Sequence, residues 1–310
     1  MVEGQEGVSW DEWLALARTC EDAGLAGLFR SDHYSSTIAT ADRGSLDAWA
    51  TLAALAARTE RIRLGTMVSP VTFRHPANLA RMVATVDHVS GGRVELGMGA
   101  GWMELEHRQN GFPFGEAAWR VSLLREQIEI VVRQWTEGEF SFEGEHYRLE
   151  ASRALPKPVQ RPHPPLIVGG GGKRGTVEPA VRWADEYDTT VASPDDIRSL
   201  REKLDAACER AGRERPLRLT LMTTTVIGDG EGELRERVRS FLARVGREDD
   251  PDAWLAERRG AGLVGTVDEV LELLGRYREA GLDGAYLQHL DHADLDLVRL
   301  IGARVVPAMV

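Results

Sequence analysis

Several short stretches carry residue types that could do chemistry together. Residues 91–106 read Gly-Gly-Arg-Val-Glu-Leu-Gly-Met-Gly-Ala-Gly-Trp-Met-Glu-Leu-Glu, a short apolar strand running into alternating glycines and then a tryptophan. A strand end without Cβ atoms lets a flat ligand lie close to the backbone, which marks Gly99, Ala100, Gly101 and Trp102 as candidate binding residues. A second strand-like run ends on Asp32-His33. An imidazole there is suited to giving or taking a proton near neutral pH. A third run, residues 62–68, ends on a turn at Met67-Val68. A fourth leads into Gly169-Gly170-Gly171-Gly172-Lys173-Arg174. Free N–H groups at a helix start, with two cations beside them, make an anion site.

The elements that must position these residues alternate regularly. Strands are expected at 27–31, 62–68, 93–96, 166–168, 188–191, 217–227 and 284–290. Helices are expected at 9–23, 47–59, 76–89, 120–137, 177–184, 195–211, 233–245, 267–280 and 295–305. Ser9 and Glu12 form a capping box for the first helix, and Gly24 stops it. Gly265-Thr266 reads as the N-cap of a late helix. Short apolar strands, each followed by a helix, are the signature of parallel β-α units. Counting a clipped first strand at the amino terminus, there are eight such units, and a closed (β/α)8 TIM barrel is their natural solution. The junction Glu-Asp-Ala-Gly-Leu-Ala-Gly at 21–27 is echoed by Glu-Ala-Gly-Leu-Asp-Gly at 279–284. Residues 139–149 read as a hairpin, 155–165 hold five prolines, and 247–263 form a third break. All three are read as rim insertions within one domain spanning 1–310. In such a barrel the site lies at the C-terminal ends of the strands, where the marked residues fall.

Composition narrows the function classes. The 310 residues carry 38 Lys+Arg against 49 Asp+Glu, a net charge of −11 with both signs interleaved, which argues against a nucleic-acid partner. No stretch approaches the roughly 20 apolar residues of a membrane helix. Cys20 and Cys208 lie in helical patterns far apart, so neither a disulfide nor a metal site is expected. With no charged-then-apolar leader at its start, the chain is expected in the cytoplasm. A complete barrel needs a full first strand, so either residues precede Met1 in the native protein or the barrel has a gap there.

Taken together, these motifs identify a resemblance. Ser31-Asp32-His33-Tyr34, the run 59–66, Phe73-Arg74-His75-Pro76-Ala77, the run 90–97 with Gly99-Ala100-Gly101-Trp102, and Pro156-Lys157-Pro158-Val159-Gln160 leading to Gly169–Gly172 resemble the luciferase-like monooxygenase superfamily. Within it, the chain looks like the branch of coenzyme F420-dependent oxidoreductases. The resemblance covers nearly the whole chain. It implies a deazaflavin ring across the barrel mouth, its face against a non-proline cis peptide that falls by position at Met67-Val68. It also implies Asp32 at the cofactor, and His33 as proton donor or acceptor beside the reactive ring carbon. The cofactor phosphate would be the guest of Gly170, Gly171, Gly172 and Lys173. A homodimer with small-molecule substrate and no macromolecular ligand is implied as well, its second and third helices packing across the interface; the small residues of 50–57 suit such packing. Trp102 stands where the sugar-phosphate dehydrogenases of the superfamily carry a catalytic glutamate, and the tryptophan those enzymes carry just beyond the Asp-His pair is missing, which counts against a sugar-phosphate substrate.

Three alternatives remain open at this stage. Reduced FMN would activate oxygen and make the chain a monooxygenase, whereas a deazaflavin transfers hydride. Gly170 to Gly175 also fits a dinucleotide Gly-x-Gly-x-x-Gly pattern, but Asp188 comes too early for its ribose acid. A non-catalytic flavin-binding barrel is the third. Substrate choice is assigned to the rim loops 35–45, 103–114 and 247–263.

Overall fold

Short runs of β-branched and apolar residues, buried on both faces, build the wall of a parallel barrel. The computed structural model describes residues 1–37, 43–190 and 192–309. Strands β1 (Gly27–Arg30), β2 (Arg63–Thr66) and β3 (Ser69–Pro70) come first. They are followed by β4 (Val94–Gly99), an antiparallel hairpin of β5 (Phe140–Glu143) and β6 (Arg148–Ser152), then β7 (Leu166–Gly169) and β8 (Glu186–Thr190). The last three are β9 (Arg218–Gly228), β10 (Leu263–Thr266) and β11 (Gly284–Gln288). The parallel order is β1-β2-β4-β7-β8-β9, continued by β11. Between β11 and β1 stand Met1 and Val2: Val2 bridges to Arg30 on one side and His289 on the other. The Val2 N–H donates to the Phe29 carbonyl at 2.9 Å and the His289 N–H to the Met1 carbonyl at 2.9 Å. The first-strand position is thus filled at the mouth by these residues.

The strands are wrapped by α1 (Trp10–Asp22), α2 (Ala48–Ala56), α3 (Pro76–Ser90), α5 (Ala117–Thr136), α6 (Arg174–Trp183), α7 (Pro194–Arg210), α10 (Val267–Glu279) and α11 (Leu295–Leu300), with α4 (Glu104–Asn110) inserted between β4 and α5, and α8 (Glu231–Arg244) and α9 (Pro251–Arg258) between β9 and β10. The Ser9–Glu12 capping box forms, and a second closes the start of α10 at Thr266 and Glu269. Among the described residues no helix is long and apolar enough to cross a membrane. Leu28, Leu64, Val94, Leu96, Leu166 and Val168 point outward into the barrel–helix core, whereas Phe29, Met67, Ile167, Met222 and Tyr286 fill the barrel interior.

Three sequence expectations are corrected. Residues 247–263 are not only an insertion: they hold α9 and lead into β10, which pairs with the second half of β9 at Thr225–Gly228. The rim stretch 103–114 contains α4. The strand expected at 188–191 starts two residues earlier, at Glu186, and Val191 lies outside the described residues.

The glycines of 97–101 also need a different explanation in part. β4 runs through to Gly99, so Gly97 and Gly99 are strand residues rather than a turn. A Cβ on Gly97 would overlap the Thr66 carbonyl oxygen, and one on Gly99 would sit 2.5 Å from Val68 Cγ2. Across the next strand, a Cβ on Gly169 would lie 3.3 Å from Val68 Cγ1. β2 pairs with Val94 and Glu95, β3 with Met98 and Gly99, and Met67-Val68 bulges between them. The Met67–Val68 peptide bond is cis, as the resemblance implied. These two glycines therefore make room for a neighbouring strand before they make room for any ligand.

Gly97→Ala is expected to destabilise the protein by about 1–3 kcal/mol, because backbone cannot yield as a flexible side chain can. Gly275→Ala, inside α10 with no atom within 4 Å of its added methyl, is expected to stabilise by about 0.5–1 kcal/mol. Urea unfolding of the two variants beside the parent measures both; equal effects of the same sign would contradict the packing argument.

Candidate functional site

The C-terminal strand ends open into one cavity of about 1140 Å3, large for a small-molecule site. His33, Met67, Val68, Gly99, Ala100, Gly101, Trp102, Gly170 and Gly171 all line it, so the structure brings together most residues singled out from sequence. Asp32, Gly172 and Lys173 do not line it.

His33 follows β1 and presents its ring to the cavity wall. Its Nδ1 lies 2.6 Å from Glu106 Oε1, and the carboxylate, whose side chain is fully buried, also accepts the Tyr34 N–H at 3.0 Å. Nδ1–H donating to Glu106 leaves Nε2 as the proton-exchanging nitrogen. Burial disfavours the imidazolium, but the hydrogen bond and charge of Glu106, with Glu3 and Asp32 behind it, outweigh this and raise the His33 pKa above its ordinary value. Trp102 stands edge-on to His33 with ring centroids 5.7 Å apart, and is 64% exposed at the rim.

Asp32 is placed otherwise than expected. Buried beneath the wall, its Oδ2 accepts from Ser69 Oγ at 2.6 Å and Arg74 Nη1 at 2.5 Å, and its Oδ1 from Arg74 Nη2 at 3.1 Å. Arg74 also donates to Asp47 Oδ2 at 3.1 Å and to the Tyr34 hydroxyl at 3.3 Å. The bidentate pair ties β1, the β3 loop and α2 into one rigid floor. Both its oxygens are engaged there, and in this arrangement Asp32 supports the cavity wall without itself lining it.

The glycine loop is divided. The Gly170 N–H donates to the Asp188 carbonyl at 2.9 Å and the Gly172 N–H to the Tyr187 hydroxyl at 2.8 Å, so neither is available to an anion. Lys173 is the exposed N-cap of α6, without a side-chain capping bond. The part of this loop that reaches the cavity is Gly170-Gly171.

Other residues at the cavity were not singled out from sequence. Glu3 and Gln288 line it, joined by a bond from Gln288 Nε2 to Glu3 Oε1 at 2.6 Å. Arg258 and Arg276 reach it from α9 and α10. Asp188 lines it from β8, two residues from Glu186. Burial, with the Glu186 charge adding to it against a Thr220 hydrogen bond, pushes the Asp188 carboxyl well above the usual carboxylate range. A strand beginning at Asp188 was expected from the sequence, but its pairing with Thr220 of β9 was not. Residues 38–42 of the first rim loop lie outside the described residues. Among the described residues no group of three or more His, Cys, Asp or Glu is arranged to hold a metal ion.

Residues 2–284 match the family described as luciferase-like monooxygenase. An uncharacterized protein of Mycobacterium tuberculosis is 40% identical over 151 residues, covering 49% of this chain and 52% of that protein. The FMNH(2)-dependent dimethylsulfone monooxygenase of Pseudomonas putida is 32% identical over 200 residues, 64% of this chain and 53% of that enzyme. The matches thus span about half the length of these curated relatives. The F420-dependent glucose-6-phosphate dehydrogenase of Microbacterium testaceum is 28% identical over 318 residues, 96% of this chain and 93% of that enzyme. Among solved structures, monooxygenase RslO1 from Streptomyces bottropensis aligns with a TM-score of 0.82 at 24% identity, covering 97% of this chain and 94% of that one, a likeness of fold. The relatives include both F420-dependent and FMN-dependent members. With a barrel of this topology and a family match over residues 2–284, the chain belongs to the luciferase-like monooxygenase family.

Proposed function

We propose that this protein is an F420-dependent oxidoreductase that moves a hydride between the deazaflavin and a small organic substrate. The observation that carries the reading is His33: a cavity-facing imidazole, backed by a buried carboxylate, close to the bulged Met67-Val68 floor. The full-length match to an F420-dependent relative supports it over the FMN alternative, whose relative matches 64% of the chain. The alternative, an FMN-dependent monooxygenase, keeps the same floor and cavity.

The residues present suit a flavin-type ring. Val68, seated on glycines, offers an apolar face, and Gly99, Ala100 and Gly101 keep the adjoining wall low. When bound, the deazaflavin supplies or accepts the hydride. His33 exchanges a proton through Nε2 with the substrate atom next to the one receiving hydride, and Glu106 holds its tautomer and ring plane. Trp102 lines the mouth on that side, edge-on to His33, and offers an apolar surface there. Gly171, the loop glycine at the cavity whose N–H is not spent on Asp188 or Tyr187, is the place for the cofactor's anionic tail, two residues before Lys173. The exposed Ala50 and half-buried Ala54 of α2, with the exposed Ala57 at its C-cap, suit a homodimer, and a cytoplasmic location goes with this reading.

Titration with oxidised F420 and separately with FMN, followed by tryptophan quenching and cofactor absorbance, tests the proposal. Micromolar F420 binding with weak FMN binding is expected; the reverse preference moves the protein to the oxygen-activating branch. His33→Asn is expected to lower kcat about 100-fold or more once a substrate is found, and an unchanged kcat would remove His33 from the chemistry.

The sign of the pH response follows from the raised His33 pKa. The imidazolium persists above the ordinary value near 6.5, so the direction needing a proton from His33 is expected to stay fast through that pH and slow as pH rises through the higher folded value. The stability gained from the His33–Glu106 pair is likewise full below the unfolded pKa and lost over the same rise. Glu106→Gln removes the largest contribution opposing burial, leaving only the weaker charges of Glu3 and Asp32, and the fall in rate should move to lower pH. A pH profile that does not move would show that Glu106 does not set the His33 proton.

A further inference from the structure

Two carboxylates face the barrel interior from β8. Glu186 and Asp188 are both buried, and both approach the single hydroxyl of Thr220 on β9: Oγ1 lies 2.9 Å from Glu186 Oε1 and 3.0 Å from Asp188 Oδ1. A hydroxyl has one hydrogen, and an ionised carboxylate can only accept. Thr220 therefore serves one acid, and the other must bring a proton of its own.

The remaining partners decide which. Glu186 accepts the Tyr286 hydroxyl at 2.7 Å and faces Arg218 Nη1 at 3.1 Å, the surroundings of an anion. Asp188 has no cation beside it, and its second oxygen has no hydrogen-bond partner among the described residues. The other charged groups near the pair are Glu95 of β4, which disfavours a second negative charge, and Arg63 of β2, which is bound to Glu95.

Asp188 also sits beside the floor. It pairs in register with Gly169, the glycine against which Val68 packs, and it lines the cavity. We infer that Asp188 and Glu186 hold one acidic proton between them, in addition to the Thr220 hydroxyl hydrogen, so that the wall next to Val68 presents a neutral carboxylic acid, and that this acid is a hydrogen-bonding site for an uncharged polar edge of the bound ring. The second half rests on the cofactor reading above. With its proton directed at Thr220, the neutral acid offers its second oxygen as an acceptor for a ring N–H, where a carboxylate would also repel the neighbouring ring carbonyls.

Infrared difference spectra of the ligand-free protein test the proton. A carboxylic-acid C=O band that shifts in D2O is expected in the parent. It should vanish in Asp188→Asn and persist at a shifted frequency in Thr220→Val. A band lost instead in Glu186→Gln but kept in Asp188→Asn, or no such band in the parent, overturns the assignment. Titration with F420 and FMN tests the docking half: Asp188→Val should weaken whichever cofactor the parent binds about 10-fold, the size of one lost hydrogen bond, and Asp188→Asn, which can still donate and accept, less than about 3-fold. Unaltered binding by Asp188→Val overturns that half. If the parent binds neither cofactor, the cofactor reading and the docking half fall together, while the infrared result still decides where the proton sits.

Discussion

The seating of Val68 on a glycine-lined wall is the contact on which the site depends. Gly97, Gly99 and Gly169 come from two adjacent strands, and each lacks the methyl that would collide with the Met67-Val68 bulge or the strand carrying it. Pairing resumes on the far side of the bulge through Ser69 and Pro70, so the wall stays continuous while one residue is pushed into the mouth. An apolar floor is thereby fixed by backbone packing rather than by flexible side chains. Such packing is hard to deform, because protein interiors are nearly as dense as crystals.

Around that floor the charges are sorted. On the β1 side, a buried glutamate holds a histidine that keeps its proton readily; on the β8 side, a buried aspartate resists losing its own. Asp188 and His33, each with raised proton affinity, share one cavity without forming an ion pair with each other. Below, Asp32 and Arg74 complete a bidentate pair that neutralises the floor. Buried charges of this kind persist only when hydrogen bonds satisfy them, and here nearly every oxygen of the Asp32 and Glu106 carboxylates is accounted for.

Much of this was legible in the sequence, and the reasons differ by residue. His33, the strand end at Met67-Val68 and the stretch Gly99–Trp102 are local features at strand ends, so alternation of strands and helices was enough to gather them, whereas the cis peptide at Met67-Val68 came only from the family resemblance. Glu106 was not legible because it lies on a seven-residue helix whose sequence, Glu-Leu-Glu-His-Arg-Gln-Asn, has too few apolar positions to show a period. The Asp188–Thr220 contact joins different strands, and only register sets it. Asp32 misled in the opposite sense: an acid beside a histidine at a strand end invites a ligand, and nothing nearby in sequence shows that Arg74 has already claimed it.

β9 is eleven residues long, and its two halves have different neighbours: Thr220–Thr224 pair with β11, Thr225–Gly228 with β10. The wall therefore forks at the mouth. The outer branch, with α8, α9 and β10, has its own apolar cluster of Val226, Leu234, Val238, Phe241, Leu242, Trp254 and Val264, separate from the main core. A subassembly with its own core can drift in sequence, or be exchanged between relatives, without disturbing the barrel's register. Because Trp254, Arg258 and Gly260–Gly262 of this branch line the cavity, changes confined to its core can reshape the far wall of the cavity while the floor and His33 stay in place.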